Sequence, residues 1–196
     1  MLEKQPIKVL DLVYSFFKDV RSQNNMKQIL TLIFLGSSLA VSAHSTDSLE
    51  VQLARKWEHS KTYALKLAAS MPEENYDFKA SPEEMSFREQ LLHIADNINW
   101  LSSSYLFCDA PKKRSADVKL SKAEVLKVLE DAYNRGLKAN TNVSTSLLDE
   151  NVKFSDGVMT RRQILILMHD HQTHHLGQLI VYLRLKGVKP PPYIGW

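Results

Sequence analysis

Three times in this chain a Ser or Thr is followed, three residues on, by Glu or Gln at the head of an amphipathic run: Ser86 and Glu89, Ser121 and Glu124, Thr160 and Gln163. In such a pair each side chain satisfies a backbone N–H that a helix start leaves without a partner, so the pattern marks where a helix begins. The run from Ser86 to about Phe107 carries Phe87, Leu91, Ile94, Ile98, Leu101 and Tyr105 at helical period. After Ser121, Val125, Leu126, Leu129, Ala132, Tyr133 and Leu137 supply the apolar side of the next helix. The longest spans about 160–186, where Gly187 and the prolines Pro190 to Pro192 stop it. A further stretch, Leu49 to Ala69, brings Leu53, Trp57, Ala64 and Leu67 near the same period. The polar segment "NTNVSTSLLDENVKFSDGV" is expected to hold a short extra turn, and no strand-like alternation of useful length stands out. Four helices in 196 residues, the length of one domain, predict an all-α fold, a four-helix bundle. Such bundles build their sites from side chains that face inward on different helices.

The N-terminus carries a different signal. Met26-Lys27 gives a minimal positive start, "ILTLIFLGSSLAV" (29–41) an apolar centre, and "VSA" (41–43) the small residues that signal peptidase requires. Residues 26–43 therefore read as an export signal cleaved after Ala43. The mature domain, 44–196, is expected in the periplasm or secreted. The apolar run is short of the roughly 20 residues that span a bilayer, so no stable membrane insertion is expected once the signal is removed. Export signals rarely begin so late, and residues 1–25 read as an upstream extension ahead of a true start at Met26. The single Cys108 can form no intramolecular disulfide and reads as a small buried hydrophobe.

Charge excludes one class of partner. Residues 1–43 hold five Lys/Arg against three Asp/Glu, which is +2 of the formal net charge of +3. The rest, with 25−5=20 positive and 22−3=19 negative residues, is nearly neutral and offers no basic stripe for nucleic acid.

The segment "HDHQTHHLGQ" (169–178) lies in the longest helix and holds four of the seven histidines. His171 and His175, at i and i+4, stand one above the other on one helical face and can reach a common ion. Steps of two and three residues turn His169 and His174 away from that pair, and Gln178 and Tyr182 continue its face with polar groups suited to orienting ligands or holding water. The bland alternative is a solvated helix face with one or two core histidines. His93, on the second helix in a polar patch with Gln90, Asp96 and Asn97, completes a three-histidine set. Three neutral nitrogens with a position left for water suit a catalytic rather than a structural zinc-type site. Nickel or iron accepts the same ligands, so the metal is divalent and its identity open. Asp170, Asp96 and Glu89 are candidate bases of the kind any helix surface offers. Glu58-His59 reads as surface, and an N-terminal His44 could chelate copper.

"SFREQLLHIADNINW" (86–100) and "HDHQTHHLGQLIVYLRLKGVKPPPY" (169–193) together resemble the DinB/YfiT-like superfamily of metalloenzymes, over most of the mature chain. The resemblance implies a four-helix bundle that binds a divalent metal through three histidines, matched here by His93, His171 and His175. Leu176 stands where that family usually has an arginine directly after the last ligand. Related groups include thiol-dependent S-transferases, and an exported protein meets few cytosolic thiol cofactors. Two function classes follow: a metal-dependent enzyme that activates water or a thiol against a small-molecule substrate, and a non-catalytic metal-binding or interaction bundle. A homodimer fits either.

Overall fold

The computed structural model describes residues 18, 48–106, 109–110 and 119–195. The export segment, residues 1–25 apart from residue 18, His44 and Cys108 lie outside the described residues. Four long helices carry the fold: α1 (Leu49–Ser70), α2 (Phe87–Tyr105), α3 (Lys122–Asn142) and, after the single turn α4 (Thr145–Leu148), the longest, α5 (Arg161–Leu185). All three boxes read from the sequence are closed. The Glu89 carboxylate accepts from the Ser86 N–H at 2.6 Å, that of Glu124 from Ser121 at 2.7 Å, and the Gln163 amide oxygen from Thr160 at 2.8 Å. The first helix is capped by Ser48, whose hydroxyl accepts from the Val51 N–H at 3.4 Å. Gly187, at φ 70°, ends α5 in the left-handed conformation that glycine adopts without a Cβ penalty. Its N–H donates to the Arg184 carbonyl at 3.0 Å and that of Val188 to Leu183 at 2.8 Å, which closes the last turn.

The segment between α4 and α5 departs from the expectation of a turn alone. It forms a hairpin, β1 (Asn151–Phe154) against β2 (Gly157–Thr160), paired from Asn151↔Thr160 to Phe154↔Gly157. The sequence hides it because each strand is only four residues long, too short for alternation to register. The two-residue turn also sets Ser155 at φ 51° without a glycine at that position. Packing holds the hairpin: the Phe154 ring lies 5.6 Å from Trp100 and 5.5 Å from Tyr105, both on α2. Thr160 ends β2 and also caps α5, so hairpin and helix join with no linker.

In the bundle, α1 runs antiparallel to α3. Lys122, at the head of α3, donates to the carbonyls of Ala69 and Met71 at the foot of α1, while Lys61 meets Asn134 at 2.7 Å. Helices α2 and α5 are also antiparallel and are tied near both ends. The Tyr182 hydroxyl donates to the Met85 carbonyl at 2.7 Å, just before α2 begins, and the Arg161 guanidinium donates to the carbonyl of Tyr105, where α2 ends. At the centre, Trp57 is wholly buried and its indole N–H donates to the Tyr133 carbonyl at 2.8 Å. Gly136, one turn on, lets α3 press against that ring: a Cβ there would stand 2.2 Å from Trp57 Cζ2. The buried Tyr133 hydroxyl reaches across to α5 and donates to Gln172 at 2.8 Å. Among the described residues no helix is long and apolar enough to cross a membrane.

Candidate metal centre

The antiparallel seam of α2 and α5 brings three imidazoles together midway along its length. His93 Nε2 lies 3.1 Å from His171 Nε2, and the ring centroids of His93, His171 and His175 stand 4.5–4.9 Å apart. One nitrogen from each lies within 4.8 Å of the others, and among the described residues no carboxylate joins the group. Two nitrogens bound to one tetrahedral zinc at about 2.0–2.1 Å each would be about 3.3 Å apart. The His93–His171 pair is already near that spacing, so the donor set fits an ion with little movement.

The protonation pattern fits as well. His175 Nδ1 lies 2.5 Å from Gln90 Oε1 and 3.3 Å from Gln178 Oε1, while the Gln90 amide donates to Gln178 Oε1 at 2.6 Å. Amide oxygens only accept, so the proton sits on Nδ1 and leaves the Nε2 lone pair of His175 free for an ion. Burial, reinforced by the neighbouring imidazoles, pushes His171 and His175 down to about 4, so both are neutral donors at neutral pH. Among the described residues, His171 Nδ1 is buried without a hydrogen-bond partner, as is Asn97 Oδ1, one turn beyond His93. Replacing Gln90 with Leu is expected to weaken metal binding about 10–100-fold, the usual effect of losing a partner that orients a ligand histidine. A competitive-chelator titration reads this, and unchanged affinity would mean that the Gln90 contact does not orient His175.

The other sequence candidates sort differently. His169 faces the opposite side of α5, buried edge-on against Trp57 at 4.8 Å between centroids, with Nε2 2.9 Å from Asn140 Oδ1. His174 is exposed and meets the Gln178 amide at 3.1 Å. Gln178 thus plays the orienting part expected of it, but Tyr182 does not, since its hydroxyl is committed to Met85. Glu89 is held by its cap, where the Ser86 N–H keeps its carboxyl below the usual range. Asp96 and Asp170 are exposed on their helices, and His59 is half-buried on α1, outside the cluster. Leu176 is buried on the side of α5 that faces α1, away from the three histidines. Gln90 was legible only as part of a polar patch. It lies one turn before His93, and that spacing was the signal available.

Burial also gives the histidines a pH signature. Desolvation, with the Lys56 ammonium adding to it, lowers His169 from 6.5 to about 4. An unfolded chain takes up the proton near 6.5 and the folded one does not, so stability is full above about 6.5 and declines as pH falls toward 4. With chelator present, the melting temperature is expected to fall over that interval, and less steeply in His169→Gln. Parallel pH profiles for the two proteins would show that His169 does not titrate on unfolding.

A helical bundle with three histidines converging from two of its helices defines a class able to hold a divalent ion between helices. Within that class the chain belongs to the DinB family, whose model matches residues 42–195. It is similar to the YjoA protein of Bacillus subtilis (strain 168), 29% identical over 135 residues that cover 65% of this chain and 84% of that protein. The crystal structure of that DinB-like protein superimposes with a TM-score of 0.62 at 18% identity, covering 74% of this chain and 97% of the other. A DinB-like protein from Bacillus cereus ATCC 10987 gives 0.63 at 19% identity, covering 71% and 94%. At these identities the two structures establish a shared fold.

Proposed function

We propose that this protein is an exported divalent-metal-dependent enzyme in which His93, His171 and His175 hold the ion, with hydrolase or thiol S-transferase chemistry. The observation that carries the reading is the convergence of three imidazoles, one of them with its tautomer fixed by Gln90. When bound, a divalent ion supplies Lewis acidity that draws the pKa of water or a thiol toward neutrality. The chain's own part is positional. Gln90 and Gln178 orient His175, and the half-buried His93 and His171 leave one side of the cluster open to a small molecule. An approach from solvent suits a catalytic site better than a structural one.

Elemental analysis of the purified protein tests the first step, with one divalent ion per chain expected. Screens of the loaded protein for ester hydrolysis and for thiol addition to an electrophile test the second. Absence of a stoichiometric ion overturns the metal reading. An ion without turnover in either screen favours the non-catalytic bundle. Export is tested separately by intact mass, with a mature chain beginning at His44 expected.

A further inference from the structure

A second cleft, of about 210 Å³, opens between α1 and α5 on the face of α5 opposite the three histidines. Thr173 in its lining is bonded to the His169 carbonyl at 2.9 Å, but the polar groups that α1 contributes are not so engaged. Ser60 and Tyr63 on α1 are 8% and 5% exposed, yet neither hydroxyl makes a hydrogen bond among the described residues. Neither oxygen is sealed inside the protein, so both can be reached from the cleft that their residues line. Lys56, one turn before Ser60, likewise has no carboxylate partner there. Burial raises the Tyr63 hydroxyl, with Tyr193 adding to it, so the phenol keeps its proton. All three groups are therefore able to donate. The facing wall is apolar, formed by Leu176 and Ile180 on α5.

Gly177 lies between those two residues. A glycine inside a helix costs stability relative to alanine, and elsewhere in this bundle a close neighbour explains one. Here nothing explains it, because a Cβ on Gly177 would meet nothing within 4 Å. Three unpartnered donors at one wall, an apolar opposite wall and a missing side chain between them describe room kept for a molecule.

We infer that the α1–α5 cleft binds a small organic carboxylate, its anion taken by Lys56, Ser60 and Tyr63 and its apolar body lying over Leu176 and Ile180. The volume corresponds to roughly seven waters at about 30 Å³ each, which suits an acid the size of hexanoate. Neutral donors alone would serve an alcohol as well, and the unpaired ammonium is what selects the acid.

Calorimetric titration of the full-length protein with hexanoate, in the presence of chelator, tests this. Hexanoate is expected to bind with one site per chain and hexanol at least about tenfold more weakly, as is typical of losing hydrogen bonds to a charged group. Lys56→Gln should reduce the affinity by a similar factor. Gly177→Leu should abolish binding with an unchanged circular dichroism spectrum, because its side chain fills the cleft without a clash. The variant His93→Ala/His171→Ala/His175→Ala should bind hexanoate as the wild type does, which separates this cleft from the metal centre. Equal affinity for hexanol and hexanoate, undiminished binding by Gly177→Leu, or loss of binding in the triple-histidine variant would each overturn the assignment.

Discussion

Replacing His93, His171 and His175 together with alanine is expected to erase the protein's thermal response to divalent metal while leaving its helices in place. A ligand that binds only the folded state stabilises it by mass action, about 2.7 kcal/mol at a hundredfold excess over its dissociation constant. For a chain of this size each kcal/mol moves the midpoint by about 2–4 °C. The wild type should therefore gain roughly 5–11 °C on adding metal, and the triple variant nothing. His169→Ala and His174→Ala should keep the metal response, since neither ring faces the cluster. The apoprotein should stay helical, because the buried core from Trp57 to Leu183 does not draw on the ion. Circular dichroism melts with and without chelator measure all of this. Collapse of the helical signal on chelation would make the ion structural and remove the physical basis for catalysis. A metal response surviving in the triple variant would place the ion elsewhere.

The second large effect is expected where α1 meets α3. Trp57→Ala should cost about 3–5 kcal/mol, as burial of a large aromatic is lost and a cavity remains. Gly136→Ala should cost about 1–3 kcal/mol for the opposite reason: the new methyl would enter the space of a ring fixed by its hydrogen bond to Tyr133. The two errors compensate. In a Trp57→Phe background, which shortens the ring, Gly136→Ala should be markedly cheaper, and a double-mutant cycle from denaturant unfolding reads the coupling. Additive costs would mean that the close approach of ring and glycine does not govern this contact.

How much of this was legible beforehand follows from the range of the interactions. The capping boxes act over three residues, so α2, α3 and α5 begin where Ser86, Ser121 and Thr160 said they would. The i, i+4 pairing of His171 with His175 is equally local. That His93 would face them needed only that two apolar stripes pack together. What stayed hidden depends on contacts between helices or on very short elements. The hydrogen bond from His175 to Gln90 is set by the axial alignment of α2 against α5, and the Trp57–Gly136 contact by the closeness of α1 to α3. The hairpin is held by Phe154 against Trp100 and Tyr105, partners about fifty residues away in sequence.

The ties near both ends of α2 and α5 have a consequence for the centre between them. A helix advances about 1.5 Å per residue and turns about 100°, so sliding one past the other by a single residue would separate Tyr182 from Met85 and Arg161 from Tyr105 together. The two fastenings act as alignment pins on the seam. The imidazoles lie between them, so slippage of either end is opposed on both sides of the centre. The spacing of His93 and His171 is thus a property of the whole seam. A substitution at Met85 that shifts the backbone, some dozen ångströms along the helix from His93 at that rise per residue, can detune the ion's seat without touching a ligand.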